Sequence, residues 1–214
     1  MRIFVTGTDT GVGKTFVCAH YMNQWGSEHP AYYKPLQTGS PSIAEAEDVL
    51  AIKRLTHHAF DNEVNGGLCL KAPLSPYQAA LAENLSLNPT QILDDLNKQI
   101  AMHETLVVEG AGGLLVPITQ DYFMLDLIEQ SGLPVVLVTR PQLGTLNHTL
   151  LSLRALQSRE VPILGFIMNQ FPATPNQAEA DSVAMIESLS GVKCLEVIPS
   201  NSLCAKINLS EVTP

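Results

Sequence analysis

Gly7-Thr8-Asp9-Thr10-Gly11-Val12-Gly13-Lys14-Thr15 follows directly on the apolar run Ile3-Phe4-Val5. A glycine-rich turn between a strand and a helix lets backbone N–H groups close around phosphate oxygens, with the positive end of the helix dipole behind them. In such a loop Lys14 reaches the terminal phosphates and the Thr15 hydroxyl ligates Mg²⁺. Five residues rather than the usual four separate Gly7 from Gly13, and Thr8 stands where the first glycine is normally found, so the loop is a variant. A glycine-rich turn alone is common. Here a strand, a Gly-Lys-Thr ending and a helical stretch from Phe16 to Trp25 coincide, which points to a nucleoside triphosphate.

Outward from the loop, apolar runs of four to seven residues mark strands at Arg2–Thr6, Ala31–Lys34, Gly67–Leu70, Thr105–Glu109, Val135–Thr139, Ile163–Met168 and Cys194–Ile198. Helical patterns separate most of them. Asn88-Pro89 reads as an N-cap followed by proline at the first helical position, opening Thr90–His103. Asp121 is placed to cap Phe123–Ser131, which Gly132 and Pro134 terminate, and Thr145–Ser158 and Asn176–Ser190 are the last two long helices. Alternating strands and helices predict an α/β P-loop NTPase fold in one domain over residues 1–214, with a mostly parallel sheet and helices on both faces. No repeat, low-complexity segment or linker interrupts it.

Composition agrees and excludes some partners. Apolar residues make up 45% of the 214, enough for strands buried on both faces. With 12 basic against 21 acidic residues and a formal charge of −9, nucleic acid is not an expected partner. No apolar run approaches a membrane span, and Ile3–Val5 runs into the phosphate loop without a signal-peptide core, so the expected location is cytoplasmic. Cys18, Cys69, Cys194 and Cys204 lie far apart and read as free, mostly buried thiols. His57-His58 reads as solvated surface, because neighbouring helical side chains point apart.

Three further features gather at the carboxyl ends of strands, where open parallel sheets bind ligands. Glu109 ends a strand and is followed by Gly110-Ala111-Gly112-Gly113, an acid beside permissive backbone that suits a metal-bound phosphate. Lys34 closes the second strand before Pro35, which keeps it extended, and the polar segment Pro35–Ser42 belongs at the site. Read alone, Lys34 also fits a surface lysine. Two lysines plus a metal would clamp the charge of a transferring γ-phosphoryl group. Among Glu45, Glu47 and Asp48 the pattern does not choose.

These pieces together resemble the dethiobiotin synthetase family. The resemblance runs from Phe4-Val5-Thr6-Gly7-Thr8-Asp9-Thr10 through Tyr33-Lys34-Pro35 and Val108-Glu109-Gly110-Ala111-Gly112-Gly113 to Leu143-Gly144-Thr145-Leu146-Asn147-His148. It implies a cyclo-ligase of biotin biosynthesis that uses ATP, Mg²⁺, CO₂ and 7,8-diaminopelargonate, by way of a carbamate and a carbamic-phosphoric anhydride. By position, the resemblance makes Lys34 and Lys14 catalytic and Thr15, Asp48 and Glu109 the metal set. It assigns ATP to Gly11, Val12, Gly13, Lys14, Thr15, Phe16, Asp48, Glu109, Gly110, Ala111, Gly112, Asn169, Gln170, Pro199, Ser200 and Asn201. It assigns the diamine to Thr38 and to Leu143, Gly144, Thr145, Leu146 and Asn147, the last five across a homodimer interface. Where many members carry glutamate, this chain has Gly11.

Two other readings share such loops. The cobyrinate amide synthase group needs an ammonia-supplying domain for which the chain has no room. Regulatory ATPases of the partitioning type work as nucleotide-controlled dimers, and usually place a lysine where this chain has Asp9; Lys34-Pro35 and Leu143–His148 favour the small-molecule enzyme.

Overall fold

Seven apolar runs become strands: β1 (Arg2–Gly7), β2 (Ala31–Thr38), β3 (Gly66–Leu70), β4 (Leu106–Gly113), β5 (Val135–Thr139), β6 (Ile163–Phe171) and β7 (Cys194–Pro199). The computed structural model describes residues 1–25, 30–56 and 66–200; His57, His58, Asn201 and Cys204 lie outside the described residues. The strands form one sheet in the order β3-β2-β4-β1-β5-β6-β7, parallel throughout. The helices are α1 (Lys14–Gln24), α2 (Glu47–Leu55), α3 (Pro76–Ala82), α4 (Pro89–Met102), α5 (Met124–Ser131), α6 (Thr145–Ser158) and α7 (Gln177–Ser190), with a 3₁₀ turn at Ile43–Glu45.

Alternation along the strands divides the core. Ile3, Val5, Val107, Val136 and Val138 face α1 and α2, where they meet Val17, Tyr21, Trp25, Val49 and Ile52. Phe4, Leu106, Val108 and Val135 face the other side against Ile92, Leu96, Leu127 and Ile128 of α4 and α5. Farther along that side, Leu137, Phe166 and Met168 pack on Leu153 of α6 and Ile186 of α7. Each such side chain contributes about 1.5–3 kcal/mol by leaving water. Continuing the period of two, Tyr32, Lys34 and Glu109 all project to the α1 face.

β2, β4 and β6 run several residues farther than the apolar runs predict, all three at their carboxyl ends, whereas β1, β3 and β7 differ by a single residue. β2 continues through Pro35 to Thr38 because it parts from β4 after Tyr33 and keeps only β3 as a ladder partner, a one-sided setting that tolerates proline. Helix caps account for other boundaries. Asn88 accepts from the N–H groups of Thr90 and Gln91, so α4 begins at Pro89. Asp121 is not the cap of α5: it sits in the turn of a small bridge between Pro117 and Phe123, and Asp126 accepts from the Phe123 N–H at 2.7 Å instead. Helix α3 has no counterpart in the expected elements; its Ala79 and Ala80 are buried under Leu70. Among the described residues no helix is long and apolar enough to cross a membrane.

Candidate active site

The loop leaving central β1 makes the floor of the site. Gly11 and Gly13 adopt φ of 76° and 92°, and a Cβ on Gly13 would fall 2.0 Å from Asn169 Nδ2, so that position requires glycine. Asn169, in the last third of β6, donates through Nδ2 to the Val12 carbonyl at 2.9 Å, and Gln170 Nε2 donates to the Gly11 carbonyl at 3.1 Å. The loop is thereby held from a strand two places away in the sheet. Lys14 starts α1 and its ammonium donates to the Asp9 carbonyl at 3.0 Å. Burial pushes the Lys14 pKa below the ordinary lysine value, against the opposing pull of Glu109.

Beside the loop, α1, α2, β2 and β4 bring four polar side chains together. The Thr15 hydroxyl lies 2.8 Å from Asp48 Oδ1 and 3.0 Å from Glu109 Oε1. Lys34 Nζ donates to Glu109 Oε1 at 3.1 Å and to Asp48 Oδ2. Tyr32 donates its phenol to Glu109 Oε2 at 2.9 Å. Burial by itself would lower the Lys34 pKa, but Glu109 and Asp48 outweigh it and raise the value, so Lys34 is a cation at neutral pH. Asp48 is held below the usual carboxylate range because Lys34 outweighs its own burial. Cys18 lies against Glu109, and burial followed by that charge pushes its thiol pKa well up, which makes it a core residue and not a nucleophile.

A buried ion pair of this kind contributes little to stability compared with apolar packing, so its presence speaks for chemistry. Thr15 has one proton for two carboxylates. Two carboxylates and a hydroxyl converging this closely form a hard-oxygen set suited to Mg²⁺, which keeps most of its other ligands as water and phosphate oxygens. Among the described residues no cluster of three or more His, Cys, Asp or Glu side chains is placed to hold a metal.

These groups open into a cavity of about 630 Å³ that gathers Gly11, Gly13, Lys14, Thr15, Lys34, Thr38, Asp48, Glu109, Ala111 and Gly112. Other expected residues stand differently. Val12 is in the core, Phe16 stacks on His20, and Gly110 packs against Phe4. Pro199 ends β7, and Ser200 bonds to the Phe171 carbonyl through both its N–H and its hydroxyl. Leu143 to Asn147 lie outside the large cavity: Leu143 is fully exposed, Gly144 caps α6, and Thr145 is buried against Thr139 and Thr149. Leu146 packs on the α6–α7 core and Asn147 is exposed.

Part of the cavity wall was not read from the sequence. Pro73, Leu74 and Ser75, between β3 and α3, and Pro76 at the start of α3 also line the cavity, joined by Val116. The available signal was Ser75-Pro76, a helix-opening pair that marks a loop end but not its destination.

Comparison with known proteins follows the same lines. A family profile described as "AAA domain" matches residues 1–208. The ATP-dependent dethiobiotin synthetase BioD of Lawsonia intracellularis is 42% identical over 86% of this chain and 81% of its own length. Its Bacillus velezensis counterpart is 36% identical over 92% and 85%. The biotin biosynthesis bifunctional protein BioCD of Bordetella avium is 41% identical over 94% of this chain, which spans only 41% of that longer protein. Among solved structures, the cell division ATPase MinD of Pyrococcus furiosus superposes with a TM-score of 0.58 at 19% identity, over 94% of this chain and 84% of its own. A ParA family ATPase from Chlorobium tepidum gives 0.55 at 15%, over 92% and 83%. At such identities the two structures speak for the P-loop fold alone. The two synthetases are far closer and align over most of both chains, and on that ground this chain belongs to the ATP-dependent dethiobiotin synthetase family.

Proposed function

We propose that the chain, as one domain, closes the ureido ring of dethiobiotin from 7,8-diaminopelargonate, CO₂ and ATP. An amine of the substrate takes up CO₂ and loses a proton to give a carbamate. A carbamate oxygen attacks the γ-phosphorus of ATP, the bond to the β-phosphate oxygen breaks, and ADP leaves. The second amine then attacks the carbonyl of the carbamic-phosphoric anhydride, expelling phosphate as the ring closes. No protein nucleophile is required; the protein supplies position and charge.

Buried Lys34 carries this reading. Its ammonium is held by Asp48 and Glu109 in the same cavity as the phosphate-loop lysine, where it stabilises charge on the carbamate and the γ-phosphoryl group. Lys14 neutralises the β- and γ-phosphates while backbone from Gly11 to Phe16 and from Gly110 to Gly112 wraps them. Thr15, Asp48 and Glu109 would hold Mg²⁺, which supplies neutralising charge to the phosphate oxygens. Thr38 offers a hydroxyl to the diamine. Asn169, Gln170, Pro199 and Ser200 would border the base, and because the Asn169 amide nitrogen is committed to Val12, its oxygen would meet the base.

The working unit is a homodimer in this reading. Leu115 and Leu151 are 69% and 59% exposed beside a cleft of about 400 Å³ lined by Val116, which also lines the large cavity. A second copy covering that apolar rim would bring its Leu143–Asn147 segment to the diamine. The free thiols of Cys18, Cys69 and Cys194 fit the cytoplasm.

The test is phosphate release from Mg²⁺-ATP and bicarbonate with and without 7,8-diaminopelargonate, with the organic product followed by mass spectrometry. Diamine-dependent release matched by dethiobiotin is expected. Diamine-independent hydrolysis would overturn the proposal.

A further inference from the structure

Glu109 is divided between two environments. Its Oε1 meets Thr15 and Lys34 at the cavity, whereas its Oε2 accepts from the Tyr32 phenol at 2.9 Å on the side of the core. Tyr32 stands two residues before Lys34 on β2, so both side chains leave the same face of the sheet. Its ring is 1% exposed and packs in the core shared with Val17, Cys18 and Tyr21 of α1. The terminal torsion of a glutamate is broad and two-fold, so contacts to one oxygen leave the carboxylate plane loosely defined. Thr15 and Lys34 both bond to Oε1. The phenol holds the second oxygen, and the Cys18 thiol that also lies against the carboxylate is only a weak donor.

We propose that Tyr32 is a positioning residue: its hydroxyl fixes the plane of Glu109 so that Oε1 alone faces the cation and Lys34. The inference rests on the reading of Glu109 as a Mg²⁺ ligand. Neither the phosphate loop nor a buried strand position calls for a phenol here, since an apolar side chain would fill the same core. An O–H donor on an ionised carboxylate makes a charge-assisted bond. Because Lys34 shares Oε1, a turned carboxylate displaces the ammonium together with the metal ligand.

The test is Tyr32→Phe in the full chain, with Mg²⁺ titrated calorimetrically into the ADP-loaded protein and the Mg²⁺ dependence of kcat followed in parallel. Loss of an outer partner of a metal-binding side chain typically weakens metal affinity by about 10- to 100-fold, and a loss of at least about 10-fold is expected. The ATP KM at saturating Mg²⁺ should stay near that of the parent protein, and the melting temperature without metal should fall by no more than the loss of one buried hydrogen bond implies. Glu109→Gln separates the two levels of the argument. If Glu109→Gln keeps full Mg²⁺ affinity, the metal-ligand reading fails and the proposal with it. If Glu109→Gln loses affinity and Tyr32→Phe does not, the reading stands and Tyr32 is only a core residue. Should Tyr32→Phe not fold, a crystal structure of the parent protein with Mg²⁺ and nucleotide decides: Tyr32 on Oε2 with Oε1 at the metal supports the proposal, and a phenol detached from Glu109 overturns it.

Discussion

Lys34 and Glu109 form an ion pair of 3.1 Å in which both side chains are buried, and Asp48 closes the other side of the ammonium. Removing one member leaves the other charge uncompensated, which costs more than the pair contributes. Lys34→Ala should lose about 2–3 kcal/mol of stability without ligand, much of it recovered when Mg²⁺ and nucleotide bind. Turnover should fall about 10²- to 10³-fold while ADP affinity changes little. Single-turnover phosphate release and ADP calorimetry check the division; loss of ADP binding in a folded variant would contradict it.

Gly13→Ala should abolish nucleotide binding. At φ of 92° an alanine is strained, and its Cβ would lie 2.0 Å from Asn169 Nδ2. Asn169→Ala alone loses a buried hydrogen bond and should cost about 1–2 kcal/mol, with a raised ATP KM. The double variant removes the steric part and keeps the backbone strain, so its melting temperature should exceed that of Gly13→Ala. Equal or lower melting of the double variant would show that the amide is not what the alanine strikes.

His20 should shape the acid limb of stability. Burial pushes its pKa down to about 4 from an ordinary value near 6.5. The unfolded chain takes a proton that the folded protein refuses, so this contribution is complete above about pH 6.5 and is lost as pH falls toward 4. With solvent screening allowed for, it amounts to about 2 kcal/mol. Glu196, 3.4 Å from His20 Nε2, has a pKa raised by burial and works the other way, favouring the folded state in acid and losing that as pH rises. Urea denaturation across this range should give a flatter limb for His20→Leu; an unchanged limb would assign the loss to other groups.

Leu151→Asp should yield monomers. The substitution places a charge on the apolar rim proposed to receive a second copy, where a desolvated carboxylate is costly. Association should weaken at least about 10-fold by sedimentation, and activity should fall with it. A monomeric variant with full activity would separate catalysis from assembly.

The sheet and the phosphate loop were legible because both are written locally, in apolar runs and in Gly-Lys-Thr. Choosing Asp48 over its acidic neighbours was not local. Helix α2 starts at Glu47, which sets a phase that turns Asp48 toward Thr15 and Lys34, while Glu45 stays in the 3₁₀ turn and accepts from Ser42. Asp121 was read as the cap of α5 from its position alone, but the Pro117–Phe123 bridge takes it into a turn and Asp126 receives the Phe123 N–H. The Pro73–Pro76 wall and the Tyr32–Glu109 bond depend on which strands become neighbours, and β2 meets β4 only through the crossover order of the sheet. Periodicity assigns a face to a residue but not the residue across from it.

The links from Asn169 and Gln170 to the phosphate loop span 157 and 159 positions of chain. During synthesis, the ribosome therefore releases a complete phosphate-loop sequence long before the residues that restrain it. β1 must likewise wait for both of its neighbours, β4 and β5. ATP capture is then expected as a late event in the life of the nascent chain, with nucleotide protecting stalled chains from protease only after Gln170 has emerged.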